Sequence, residues 1–403
     1  MEHAAIISGF SSCLPFSENS TQLIQRLKQG QCVIRQPWFK SDEEAIKSGF
    51  NGNKFIAKLE LVNDSELDLL YWLIEDTLAQ AMLETHYLAG HRVRVYLTGI
   101  GPRVDGMNYN AFYNKNDVED VLLNKSLTQL HVSKMSHDML ATNIARKYNL
   151  QHLPPNMNCT SNSSLAAVHL AHQAIEAGGL DLALVVNCSN IKTQDIWFLE
   201  SQSMLDSYLV QPFGENSHGV LMAEGYSAIL LESANHRTAR QVRGGIRLQT
   251  AYAHISSGRS NDSTWLSYNI LKLMKTVMKN ADICVADLAA IIPHANGSAI
   301  SDKAEAKAIA MFCDEHPIPV LAYKGQIGYT TTGSGVIDLI IGHHSLMQHE
   351  LISPVGSDKI IEAVSPYVLL NGGIIKHHQS HILKIGIGVD GSIVCIIMTM
   401  LDK

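Results

Sequence analysis

No stretch of this chain is apolar for long enough to cross a membrane. Its opening residues lack a basic region followed by a long apolar run, so no secretion signal is read from them. Positive charge is not in excess. Lys and Arg number 31 against 38 Asp and Glu, a net charge of −7, which leaves no electrostatic footprint for nucleic acid. Cysteine is sparse: seven residues, an odd number, with no CxxC and no metal-ligand spacing. That usage suits free thiols in a reducing cytoplasm. The 19 histidines follow no metal rule, even in pairs such as His343-His344 and His377-His378. Neither a metal nor a cofactor is expected. What is present is apolar content, 46% of 403 residues, ample for a large core in two domains or two fused halves.

The stretch that organises the chain is Asn158-Cys159-Thr160-Ser161-Asn162-Ser163-Ser164-Leu165-Ala166-Ala167-Val168-His169-Leu170-Ala171. A short polar run leads straight into a helical pattern. The side chains of residues 161–164 are suited to cap the orphan N–H groups of a first helical turn. Residues 165–177 are mostly apolar, as in a buried helix, and Gly178-Gly179 ends it. Residues 181–187 then read as a buried strand. A hydroxyl at the positive end of a buried helix can serve as a nucleophile or bind an oxyanion. An ordinary capped core helix is the alternative.

The rest of the chain alternates in the same manner. Residues 4–10 and 94–99 read as strands. Asp64 is placed to cap a helix whose apolar face carries Leu67, Leu70, Tyr71, Ile74, Leu78, Ala81 and Met82. Residues 105–120, rich in Asn, Tyr and acids, read as a loop, and residues 135–148 as a helix. Residues 220–231, after the stretch 212–219, read as a hairpin in which Gly225 permits a sharp turn or a close backbone approach. Arg237, Arg240 and Arg243 form a basic run, expected as a solvated bridge. A second cycle follows: strand 246–251, helix 265–279 and strand 288–292. The expectation is two βα-rich halves, residues 1–240 and 241–403, with no residue-level self-similarity between them.

Three further stretches can carry chemistry. Pro293-His294-Ala295-Asn296-Gly297-Ser298 follows a strand, where a histidine can donate to a reacting carbonyl. Lys324-Gly325-Gln326-Ile327-Gly328-Tyr329 is a glycine turn entering a helix. Ile385-Gly386-Ile387-Gly388-Val389-Asp390-Gly391-Ser392 has small residues that could turn backbone N–H groups toward an oxyanion. Each alone is also what an ordinary turn looks like.

Together and in this order, the motifs resemble the β-ketoacyl synthases of the thiolase superfamily, over nearly the whole chain. The resemblance implies an α/β thiolase fold, five-layered αβαβα with two similar halves. The match through Leu165 to Ala171 fixes the register, so the family's nucleophilic cysteine falls on Ser161 and Cys159 is a decoy two residues early. The family's first catalytic histidine falls on His294, in a motif running on to Asp302 and Glu305-Ala306-Lys307. Its lysine falls on Lys324 and its second histidine on Tyr329. Two motif aspartates are replaced, by Gly214 and His218.

The departures carry the functional expectation. A thiolate is reachable near neutral pH at a helix N-terminus, whereas a serine needs a base beside it. A phenol stays neutral near pH 7. The resemblance therefore implies a chain-length-factor-like subunit of a type II polyketide synthase. Such a subunit pairs as a heterodimer with an active ketosynthase, works with an acyl carrier protein, and shapes the acyl tunnel. Ser161 with His294 as an ester-forming dyad is the enzymatic alternative, and a solitary non-catalytic binding protein is the third reading. Met135, Met139 and Leu140 are the expected tunnel wall.

Overall fold

The computed structural model describes all residues except 1–2, 60–65, 100–104, 107–136, 206–209, 256–261, 315, 357 and 403. Its frame is one nine-stranded sheet. The strands are β1 (Ala5–Cys13), β2 (Val93–Gly99), β3 (Asn156–Met157), β4 (Leu182–Ser189), β5 (Gly225–Ser233), β6 (Gly245–His254), β7 (Leu288–Ile292), β8 (His381–Ile387) and β9 (Ser392–Leu401). The order across the sheet is β3-β2-β4-β5-β1-β6-β9-β8-β7. The principal helices are α1 (Glu66–Gln80), α2 (His137–Lys147), α3 (Ser163–Glu176), α4 (Thr193–Ser201), α5 (Ser263–Ala281), α6 (Ala299–Phe312) and α7 (Ser334–Gln348).

The sheet is a repeat. β2 and β4 run parallel, then β4–β5 and β5–β1 pair antiparallel. β7 and β8 run parallel, then β8–β9 and β9–β6 pair antiparallel. β3 extends the first set beside β2, and a bridge at Val320 extends the second beside β7. The two sets meet edge to edge at two residue pairs, Ile6 with Arg247 and Ile7 with Ile246.

Period-2 alternation along the strands divides their side chains between three cores. Ala183 and Val185 of β4 face the central core, while Leu182, Leu184 and Val186 face an outer one. In β9, Val394, Ile396 and Met398 face the centre, while Ile393, Cys395 and Ile397 face the other outer core. Helices α3 and α7 fill the centre, α1 and α2 cover one outer face, and α5 and α6 cover the other. Strands buried on both faces read as continuous apolar runs, which is why the sequence marks them well. The resulting five layers are those of the thiolase fold. No helix among the described residues is long and apolar enough to cross a membrane.

Three sequence readings are corrected. Residues 220–231 do not form a hairpin. Val220 to Ala223 run beside other segments, Met222 bridging Tyr329 and Ala223 bridging Ala57, and one strand follows. Gly225 does permit a close approach, since a Cβ there would stand 2.7 Å from Thr330 Cγ2. Arg237 and Arg240 are not a solvated bridge. Both turn onto the fully buried Glu232, Arg240 through two bonds of 2.9 Å, because a buried carboxylate requires ion-pair partners. Nor do the side chains of residues 161–164 cap α3: its N-cap, Asn162, makes no side-chain cap bond. The Ser163 hydroxyl instead accepts from Cys159 N and donates to Thr160 O, tying the turn before the helix.

Candidate functional site

The turn into α3 is sharp. Thr160 sits at φ 45°, a left-handed conformation that a β-branched residue adopts only under constraint. Constraint comes from the far half of the molecule. Thr160 Oγ1 donates to Asp390 at 3.1 Å, and Asn162 Nδ2 donates to Ser392 O at 2.9 Å. The loop 385–392 thus pins the elbow. The Gly388 N–H donates to Ser392 O at 2.8 Å within that loop, so this one is not directed at an oxyanion.

Ser161 is carried out on this elbow into a cavity of about 580 Å³, which His294 and Tyr329 also line. Apolar walls come from Phe198, Leu199, Met204, Met222, Leu266 and Ile300. Three residues from three separate sequence motifs therefore converge on one space. His218, at one of the replaced aspartate positions, also reaches this wall. Cys159 is absent from the cavity lining, and its thiol is pushed upward by burial and then by the Asp390 carboxylate, away from thiolate formation.

Tyr329 Oη donates to Ser161 Oγ at 2.5 Å. Burial pushes the phenol up to about 12, so at neutral pH it is a donor without charge. His294 stands edge-on to the Tyr329 ring, with centroids 6.0 Å apart. Its imidazole is held well below the usual histidine range, by burial first and then by the ammonium groups of Lys324 and Lys384. It is a neutral ring.

Beneath His294 lies a charged layer. Lys324 Nζ and Lys384 Nζ reach Asp338 Oδ2 at 2.8 and 2.6 Å. Both also donate to Pro293 O, at 3.3 and 2.9 Å, directly before the histidine. Lys324 therefore supports the cavity from behind and does not line it. The loop itself is strung on α6. Glu305 accepts from His294 N and Ala295 N at 2.7 Å each, and Asp302 accepts from Asn296 N and Gly297 N. Gly297 is required there, with φ 97° and no room for a Cβ against Gly219 O.

Sequence reading missed Lys384, Asp338 and Asn296. A charged residue inside the apolar runs Ile382-Leu383-Lys384-Ile385 and Val336-Ile337-Asp338-Leu339 was the available signal, because burying an ion requires a partner. Met135 lies outside the described residues. Met139 and Leu140 belong to the outer apolar cluster with Leu70 and Leu73, and neither lines the cavity. Among the described residues no cluster of His, Cys, Asp and Glu is disposed to hold a metal ion.

Comparison with known proteins agrees with this construction. The family model of the β-ketoacyl synthase N-terminal domain matches residues 3–237, and that of the C-terminal domain matches residues 251–357. A 6-hydroxymellein synthase of Talaromyces verruculosus is 24% identical over 91% of this chain, although the chain spans only 14% of that synthase's length. Among solved structures, a type II polyketide synthase ketosynthase in complex with its acyl carrier protein superimposes with a TM-score of 0.83 at 17% identity, covering 99% of this chain and 100% of that one. The ishigamide ketosynthase/chain length factor gives 0.78 at 16% identity, covering all of both chains. At such identities these likenesses show the fold alone. The matched models, the first of which contains the elbow at Ser161, place this chain in the β-ketoacyl synthase family.

Proposed function

We propose that this protein is a non-nucleophilic ketosynthase homologue, a chain-length-factor-like subunit that pairs with an active ketosynthase in a type II polyketide synthase. In this reading it shapes the acyl tunnel of the pair and meets the acyl carrier protein only within that complex. One observation carries it: the elbow group is a hydroxyl whose hydrogen-bond partner is a neutral phenol. Condensation in this family needs a thiolate for the acyl chain and two imidazoles for decarboxylation of the extender. Here Ser161 and Tyr329 occupy the positions of the thiol and the second imidazole. A serine without a base beside it is a poor nucleophile near neutral pH.

Ser161, His294 and Tyr329 then act as polar walls of a cavity, with Lys324 as a buried support. The test is co-expression with a candidate active ketosynthase. A heterodimer should co-purify, and polyketide should form only when both chains are present. The chain alone, incubated with acyl and malonyl carrier protein, should show no decarboxylation and no adduct by mass spectrometry. A stoichiometric acyl adduct at Ser161, lost in Ser161→Ala, would assign the chain to serine acyl transfer instead.

A further inference from the structure

The tautomer of His294 is set by Asn296, two residues on in the same loop. Its side-chain oxygen accepts from the Ser298 backbone N–H at 3.0 Å. A backbone N–H can only donate, so this bond identifies the oxygen and fixes which end of the carboxamide is nitrogen. The nitrogen end, Nδ2, lies 3.4 Å from His294 Nε2. An amide nitrogen is a donor only. His294 Nε2 must therefore present its lone pair, which places the proton of the neutral ring on Nδ1. The phenol's own proton points to Ser161 Oγ.

We infer that Asn296 is a positioning residue that locks His294 in its Nδ1–H tautomer. The ring then turns a lone pair, and no N–H, toward Asn296 from Nε2. Any group that meets Nε2 in the cavity meets an acceptor there and not a donor. This arrangement belongs to the chain alone and holds whether or not a ketosynthase partner is found.

Nitrogen-15 NMR of histidine-labelled full-length protein tests it, with the His294 signals identified by their loss in His294→Ala. The expected wild-type spectrum near neutral pH has a protonated Nδ1 and an unprotonated Nε2 for this ring. In Asn296→Ala the ring should relax to a mixture of tautomers. In Asn296→Asp, where the side chain can only accept, the proton should move to Nε2. A wild-type ring protonated at Nε2 overturns the proposal without any variant, so misfolding of a variant cannot protect it. Ring signals unchanged in both variants, each with a native melting profile, overturn it equally.

Discussion

The molecule contains two elbows, one in each half, and they are built alike. Thr160, at φ 45°, opens a tight turn that leads into α3; Thr331, at φ 44°, opens one that leads into α7. Ser163 and Ser334, the first residues of the two helices, donate to Thr160 O and Thr331 O at 2.7 and 3.1 Å. Each elbow is anchored on the opposite half, Asn162 on β9 and Thr332 on β4. Even the crowding is shared. A Cβ on Gly386 would stand 2.4 Å from Asn162 Oδ1, and one on Gly333 would stand 2.2 Å from Asn187 Nδ2. Gly386 and Asn187 are the sixth residues of β8 and β4. The asparagine has changed sides between the two halves, and the glycine that makes room for it has changed sides too.

The difference lies in the hydroxyls. Both Ser161 and Thr332 line the cavity. Thr332 Oγ1 is tied to Asn187 Oδ1 at 2.9 Å and to Ser189 Oγ at 2.8 Å, so it serves the frame. Ser161 Oγ is held by Tyr329, itself a wall of the cavity. One elbow is structural and the other presents a group to whatever occupies the space. The helices differ correspondingly: the fifth residue of α7 is Asp338, carrying two lysines, and the fifth of α3 is the buried Ala167.

That last contrast gives the largest expected effect. Asp338→Ala would make α7 like α3 at this position and leave Lys324 and Lys384 buried without their shared counter-ion. Removing one partner of a buried ion cluster costs about 3–5 kcal/mol, read as a lowered urea midpoint. A midpoint within about 0.5 kcal/mol of wild type would show that the charged layer does not support the fold.

The likeness of the elbows was not legible in the sequence, and the reason is physical. What is shared is backbone conformation and the reach of one asparagine, and these constrain volume at a contact without fixing residue order along the chain. Strand 288–292 and the helix around residues 265–279 were legible because burial periodicity is local. The convergence of Ser161, His294 and Tyr329 was legible only through the family register. Asp338 and Lys384, far apart in the chain, signalled buried charge but not each other.

The crowding point gives the next effect. Gly386→Ala and Gly333→Ala should each cost about 1–3 kcal/mol, since a methyl group would overlap a fixed asparagine. Combining Gly386→Ala with Asn162→Ala should recover part of the loss, and a double-mutant cycle measures it. No recovery would mean that the asparagine is not what the glycine accommodates.

Thr332→Val tests the structural elbow. It removes a hydroxyl that satisfies Asn187 Oδ1 and Ser189 Oγ, all three residues buried. Asn187 Oδ1 keeps Thr98 Oγ1 and Ser189 Oγ keeps Thr330 O, so the lost hydrogen bonds should cost about 0.5–1.5 kcal/mol, read as a lowered urea midpoint.

The charged layer should also be visible in pH. His294 has its folded pKa depressed below the ordinary value of about 6.5. Between those two values the unfolded chain binds more protons, so this group makes stability fall as pH drops below about 6.5. His294→Gln should flatten the stability profile between about pH 7 and pH 5, measured as the urea midpoint against pH. An identical slope in wild type and variant would show that burial and the two lysines do not depress the ring.

The smallest expected effect belongs to Ser161→Ala. Ser161 is only partly buried, and Tyr329, left without its acceptor, can turn its proton toward water in the cavity. The change should alter stability by no more than about 0.5 kcal/mol. Against Thr332→Val, two hydroxyls at matching places in two matching turns would then differ in what the fold asks of them. The fold uses the threonine in its own buried hydrogen bonds and does not need the serine. A loss of about 1 kcal/mol or more in Ser161→Ala would instead make the serine a frame residue like its counterpart. The midpoints of the two variants, measured side by side, decide whether the elbows differ in purpose or only in position.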